Sequence, residues 1–443
     1  METEKKWAEL SPTEKREQRY QWWLSADIKF SSPEAEKKYK ERVRRFIAAY
    51  RVEKADRVPV SLPLGNWPAY IAGTDLHTVM HDYDKLKQAW RQFYDKYETD
   101  TAVSPGMVLP PRVYSILGYK LYSWPGHGLP LNATGIQFVE GEYMMEDEYN
   151  HLIKDPSDFW MRVYMPRVFT AFESWKFLSP FTSIIEGPAA WFIPYMRPEL
   201  QSSAQALIDV GKELAVWTKM IGEFTQWAQE SGYPATRMSF AKAPFDTIGD
   251  TLRGTKGIVR DMFKRPEQLL EAIDVVTDFT IRQTIAQANA SKALTVIFPL
   301  HKGSDGFMSQ KQFEKFYWPS LKKVIEALVH EGLKPELFAE GTYTSRLESV
   351  NEFPKGAVSW LFDKTDMAAA KKILGSRCCI AGNVPTSLMV TGGYKEVKEY
   401  CRKLIEVCAP GGGFVLAGGA SVDRGNPENL RAMMEAAKEY GKY

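Results

Sequence analysis

The stretch from residue 294 to residue 340 reads LTVIFPLHKGSDGFMSQKQFEKFYWPSLKKVIEALVHEGLKPELFAE. It opens on Leu294–Phe298, a short apolar, β-branched run that suits a strand buried on both faces. Gln310–His330 follows with apolar positions at helical spacing. Trp318-Pro319 inside it predicts a kink, because proline has no N–H to donate. Glu336–Ala339 then returns to strand. Strand, helix and strand in that order form the unit of a parallel sheet.

The same alternation runs outward in both directions. Towards the N-terminus, Val58–Leu62 reads as a strand, Tyr83–Tyr97 as a helix and Thr101–Val103 as a second short strand. Thr182–Ile185 is strand-like, Leu207–Glu230 is a long helix, and another strand lies near 240. Pro266–Ala290 is a helix with proline at its first position, where the missing N–H costs nothing. Towards the C-terminus come strand Val358–Phe362, helix Met367–Leu374, strand Cys379–Ala381, helix Tyr394–Cys408 and strand Phe414–Ala417. Asn426-Pro427-Glu428 caps and starts a last helix. No GxGxxG follows the first strand and no P-loop motif occurs, so nucleotide-binding folds lose their main support. The expected fold is α/β, a closed (β/α)8 TIM barrel.

A barrel needs roughly 250 residues, and the chain has 443. The remainder is expected as parts of a single domain spanning 1–443: an N-terminal helical arm over 1–55 and an expanded insertion over 110–235. Aromatic residues make up 13% of the chain, and many, such as Tyr122, Trp124, Trp160 and Trp191, fall in that insertion. They suggest a lid over the barrel mouth. Lys+Arg is 57 against 55 for Asp+Glu, a net charge of +2, which argues against nucleic acid or an anionic membrane as a partner. Met1–Trp7 is charged with no apolar run behind it, and no segment is long and apolar enough to span a bilayer. The expected location is cytoplasmic. The four cysteines, Cys378, Cys379, Cys401 and Cys408, form no CxxC unit and read as buried free thiols.

In such a barrel the site lies at the C-terminal ends of the strands. That rule selects Asn66, Trp67 and Tyr70 after the first strand, and Asp100 beside the second. It selects Lys242 and Asp246 after the strand near 240, then His301 and Lys302, then Glu340 and Tyr343, then Asp363, then Asn383. His301 and Glu340 follow successive strands. Imidazole and carboxylate together can act as general acid and base, or share a metal ion; each alone is as often a hydrogen-bonded structural group. Asp246 and Asp363 are equally readable as helix caps. His77 and His81 lack the HExxH pattern of a zinc site. Asp75-Leu76-His77 begins like a corrinoid-binding DxHxxG signature, but Met80 stands where its glycine should be.

Several stretches, taken in order, are similar to the uroporphyrinogen decarboxylase superfamily, which includes the cobalamin-dependent methyltransferases. They are Arg45–Ala49 through Asp56–Val60, Leu252-Arg253-Gly254 with Asp261 and Arg265-Pro266-Glu267, then Ala381-Gly382-Asn383-Val384, Pro410–Phe414, Asn426–Leu430 and the final Tyr440–Tyr443. The resemblance covers about residues 40–110 and 235–443. It implies the same (β/α)8 barrel, with its pocket at the strand C-termini. Two departures matter. The decarboxylases carry an arginine-containing RQAGRY segment after their first strand, where this chain has Gly65-Asn66-Trp67-Pro68-Ala69-Tyr70 and no arginine for a multiply carboxylated porphyrinogen. The methyltransferases bind zinc through His-x-Cys and a later Cys; the corresponding positions here are Phe338-Ala339-Glu340 and the glycines Gly411–Gly413. The usual cysteine ligands of zinc are absent, and any metal would fall to His301 and Glu340.

What the resemblance and the residues leave is a methyltransferase that demethylates a small O-methyl substrate, methoxyaromatic in the leading reading, and passes the methyl group to a corrinoid (cobalamin) on a separate partner protein. The expected catalytic residues are Glu340 and His301, with Asn66, Trp67, Tyr70, Asp100, Asp246, Lys302, Tyr343, Asp363 and Asn383 binding substrate. Two alternatives stay open: a decarboxylase of a small carboxylic acid, and a non-catalytic small-molecule-binding barrel. A homodimer also stays open.

Overall fold

A computed structural model describes residues 6–25, 27–235 and 238–443. Seven parallel strands form one curled sheet: β1 (Val60–Ser61), β5 (Met238–Phe240), β6 (Thr295–Leu300), β7 (Lys334–Ala339), β8 (Ser359–Phe362), β9 (Cys379–Val384) and β10 (Phe414–Gly418), in the order β1-β10-β9-β8-β7-β6-β5. A small second sheet is formed by β2 (Tyr122–Pro125), β3 (Gly128–Leu129) and β4 (Gln137–Phe138). The expected second strand shrinks to one parallel bridge, Ala102 to Ala235, beside the chain that enters β5. Its neighbour Asp100 accepts a hydrogen bond from Val60 N at 2.9 Å. One bridge and one side chain thus occupy the gap between β5 and β1, and the fold is a (β/α)8 TIM-barrel type.

Side-chain alternation fills the barrel. Val296, Phe298 and Leu300 of β6 and Leu337 and Ala339 of β7 are fully buried, each large side chain contributing about 1.5–3 kcal/mol. Where the sequence predicts a kink, the helix passes through a π-helical turn, Phe313–Tyr317, and resumes as Trp318–His330 with Pro319 in its first turn. The helix expected at Leu207–Glu230 starts earlier, at Pro198, because its polar first turns hide the apolar period. Thr182–Ile185 is not a strand. A 3-10 turn, Phe181–Ser183, stands there between Pro180 and Gly187-Pro188, with Ile185 86% exposed and no sheet edge to pair with.

The N-terminal arm closes the barrel floor. The helix Pro33–Tyr50 packs Val43, Phe46, Ile47 and Tyr50 against Leu294, Cys379 and Val415, at or just before the N-terminal ends of β6, β9 and β10. Lys334, fully buried, donates to the Tyr50, Gly356 and Val358 carbonyls and ties that helix to the β7–β8 connection. Asp100 belongs to this floor. Its carboxylate accepts from Arg45 Nη1 at 2.7 Å and from Arg57 Nη1 and Nη2 at 2.8 and 2.7 Å. Replacing Asp100 by alanine leaves the buried Arg45 Nη1 and the Val60 N–H without an acceptor and Arg45 with the more exposed Asp56 as its remaining carboxylate. The expected cost is about 3–5 kcal/mol, measured as a lower urea midpoint at pH 7; a change under about 0.5 kcal/mol, usual for a surface site, would contradict this.

Candidate active site

At the C-terminal ends of β5, β6 and β7, a cluster of charge is built from the backbone outward. After β5 the chain makes a helical turn, Pro244–Asp246, continued by a π-helical segment, Thr247–Arg253. Asp246 and Asp250 therefore stand four residues apart, facing the loop after β6. Asp246 is fully buried. It accepts from His301 N and Lys302 N, both at 3.0 Å, and from Tyr317 Oη at 2.7 Å. These three donors fix the backbone on which His301 and Lys302 sit. Asp250 then takes the side chains: His301 Nδ1 at 2.6 Å, Lys242 Nζ at 2.8 Å and Lys302 Nζ at 3.0 Å. Lys302 reaches it across Gly249, where an added Cβ would lie 2.8 Å from Lys302 Cδ and Cε. On its other edge, His301 Nε2 is 3.5 Å from Glu340 Oε1, and both side chains remain partly open to solvent.

The electrostatics follow from this geometry. Burial, with the nearby Asp250 charge, pushes the Asp246 carboxyl above its usual range. Burial would do the same to Asp250, but the hydrogen bond from His301 and the Lys242 ammonium outweigh it and hold that carboxyl well below the usual range. Burial alone would lower the His301 pKa; hydrogen bonds to Asp250 and Glu340 reverse this and raise it to about 10. The imidazole is thus an imidazolium at neutral pH, fixed by Asp250 at Nδ1 and presenting Nε2–H beside Glu340.

The other expected site residues are dispersed. Asp363 Oδ2 accepts from Gly341 N at 3.0 Å, next to Glu340. Tyr343 is buried beneath the loop, donating to Leu300 O at 3.1 Å. Asn383 Nδ2 donates to Thr365 O at 2.9 Å. Across the mouth, Asn66 donates from N and Nδ2 to Asp423 Oδ1, both at 2.9 Å. Trp67 and Tyr70 line a cleft of about 370 Å³ with Arg424 and Gly425, away from His301. Asp100 is at the opposite end of the barrel and is not brought to the others. Asp250 and Asp423 escaped the sequence reading. Asp250 was visible only as the residue four positions beyond Asp246.

Residues 134–142 reach the mouth through polar contacts. Glu140 accepts from Thr255 N at 2.6 Å, Glu142 pairs with Arg253, and Thr134 O accepts from Asn66 Nδ2 at 3.2 Å. A second cleft, of about 460 Å³, lies near Asp363 and Asn383; neither cleft has a wall from residues 110–235.

The residues do not fit a thiolate zinc site. No group of three or more His, Cys, Asp or Glu side chains among the described residues could hold a metal ion. All four thiols are buried, and burial pushes each of them up, to about 11 for Cys379 and about 12 for the rest. The glycines compared with a ligand position precede β10, so they lie at the barrel floor, opposite Glu340. There an added Cβ on Gly412 would lie 2.4 Å from the Glu53 carbonyl.

The family model for uroporphyrinogen decarboxylase (URO-D) matches residues 201–440, more than half of the chain, and the chain belongs to that family. A uroporphyrinogen decarboxylase from Anaeromyxobacter dehalogenans (strain 2CP-C) is 23% identical over 210 residues, covering 46% of this chain and 58% of that protein. The chain therefore spans somewhat more than half the length of this curated relative. A methyltransferase from Methanosarcina mazei has the same fold, with a TM-score of 0.56 at 14% identity over 89% of this chain and 98% of that one.

The raised His301 pKa has a testable sign. The charged form is stabilised in the folded state, so this contribution is fully present below the unfolded value near 6.5 and fades as pH rises through about 10. NMR titration of His301 should show an imidazolium throughout pH 7–9, and Asp250→Asn should bring its titration down towards neutral pH. A wild-type midpoint near 6.5 would refute the proposed clamp.

Proposed function

We propose that the chain is a methyltransferase that removes the methyl group of a small O-methyl compound, a methoxyarene above all, and delivers it to a corrinoid on a separate partner protein. The observation that carries this reading is His301, held as an imidazolium between Asp250 and Glu340. The corrinoid supplies the nucleophilic acceptor for the methyl group. As the O–CH₃ bond breaks, its electron pair stays on the departing oxygen, and His301 Nε2–H protonates that oxygen to give the phenol. A phenol has a pKa of about 10, close to that of His301, so the transfer is nearly balanced. Glu340 orients Nε2–H and returns the proton from solvent, which its partial exposure allows. An ether oxygen needs a proton where a thiol would need a soft metal, which agrees with the absence of thiolate ligands. Asp246 fixes the backbone of the His301 loop, Tyr343 supports that loop from below, and Lys302 lies beside His301 on Asp250.

The fold neighbour's name supports this reading, while the family model and the curated relative carry a decarboxylase's name. A second reading, decarboxylation of a small acid, is favoured by Lys242 and Lys302 beside His301, a cationic site for a carboxylate with a proton donor for the resulting carbanion. Methyl transfer from methoxyarenes to Co(I) cobalamin, and to a supplied corrinoid protein, separates the two. Wild type should transfer methyl, His301→Gln should lose about 10²–10⁴-fold in kcat, and Glu340→Gln should lose less. The rate should fall as pH rises through about 10. Release of carbon dioxide without corrinoid, and no methyl transfer from any donor, would replace the first reading by the second.

A further inference from the structure

The strands of the large sheet carry two faces, because side chains alternate along a strand. Val296, Phe298, Leu300, Leu337 and Ala339 form one buried cluster with helix residues such as Val276, Leu321 and Val324. That face turns to the surrounding helices. The residues between them turn to the barrel axis, and their register sets them side by side. Phe240 pairs with Ile297 and Ile297 with Glu336; Pro299 pairs with Phe338 and Phe338 with Leu361. Phe240 is 58% exposed, and the other five are partly exposed. Side chains packed into a filled barrel would be buried. These line an open, largely apolar lumen.

The lumen ends on the N-terminal arm. Cys379 and Val415, on the same face, are buried against Phe46 and Tyr50 of the helix Pro33–Tyr50. From that floor Tyr50 Oη donates to Glu336 Oε1 at 3.0 Å. Glu336 Oε2 has no hydrogen-bond partner among the described residues, and it is not sealed off from solvent. Burial nevertheless pushes this carboxyl above its usual range, so the space it faces is a recess within the protein. The ammonium of Lys334 balances its charge but is spent on three carbonyls. The base of the lumen thus offers one open acceptor, near charge balance, below apolar walls. A carboxylate there would meet Glu336, an ammonium would add a second cation beside Lys334, and a neutral hydroxyl satisfies Oε2 without disturbing the pair.

The length of the lumen limits the ligand further. Glu336 and Glu340 are four residues apart, about 13 Å along a strand. One aromatic ring with a three-carbon chain spans that distance between its two polar ends. We propose that the barrel lumen binds a neutral arylalkyl alcohol, its hydroxyl donating to Glu336 Oε2 at the base and its ring lying against Phe240 and Phe338. The binding stands by itself. That this ligand is the methyl donor, with its methoxy oxygen at His301, rests on the methyl-transfer reading.

Calorimetry on the full chain with 3-(4-methoxyphenyl)propan-1-ol tests the site. Three controls keep the ring and chain: 1-methoxy-4-propylbenzene lacks the hydroxyl, 3-(4-methoxyphenyl)propanoate carries an anion, and 3-(4-methoxyphenyl)propan-1-amine carries a cation. The alcohol should bind at least about tenfold more tightly than each control. Glu336→Met should bind the alcohol and the propylbenzene equally, a change of preference that general destabilisation does not produce. Phe240→Ala, at an exposed position, should keep the circular dichroism of the wild type and weaken the alcohol by about threefold or more. No binding of the alcohol, equal binding of any control to wild type, a preference retained in Glu336→Met, or undiminished binding to Phe240→Ala would each overturn the proposal. Methyl transfer from the same alcohol to Co(I) cobalamin is read separately. Selective binding without transfer supports the lumen site and counts against the reading of His301.

Discussion

The mouth of this barrel depends on one carboxylate pair. Asp246 and Asp250 leave the same helical turn, yet they do different things because their surroundings differ. Asp246 binds backbone N–H groups and fixes the loop after β6. Asp250 binds the cationic side chains which that loop and β5 present. The first positions the His301 backbone; the second is the strongest of the carboxylates that favour its charged form. The charge of the site thus rests on a π-helical segment and its geometry on the helical turn just before it. Such segments cost helix stability and are often found at functional sites.

The far end of the barrel uses similar pairs for another purpose. Arg45, Arg57 and Asp100 form a buried network, and Lys334 is satisfied by three carbonyls. Buried charges of this kind add little net stability compared with apolar packing, but they are costly to break. Here they set where the N-terminal helix sits against the barrel floor. The cysteines share that economy of role: they are buried packing groups with high pKa values, not ligands or nucleophiles.

Membership of the uroporphyrinogen decarboxylase family fixes the scaffold and leaves the chemistry to the strand ends, where a few substitutions change what a barrel can do. In this chain Glu340 stands at the end of β7, and a hard carboxylate paired with an imidazolium suits proton transfer to oxygen.

By itself, the sequence determined the barrel. Apolar strands and amphipathic helices alternate strongly from Leu294 to Tyr440, and each period reports local burial. It also determined that His301 and Glu340 meet, because successive parallel strands are neighbours. The tertiary structure alone decided the rest. Asp100 reads in sequence as a strand-end residue, but it precedes its strand and so lies at the floor, where two arginines hold it. Asp250 lies off every strand end and reaches the site through the pitch of a π-helical turn. The strand-like Thr182–Ile185 had no edge to pair with. Asn383 and Asp363 gained a cleft of their own because the helix Tyr394–Cys408 closes it from outside. Periodicity along a chain records which face is buried; it does not record which distant charge comes to lie against that face, and that is what sets the protonation of His301.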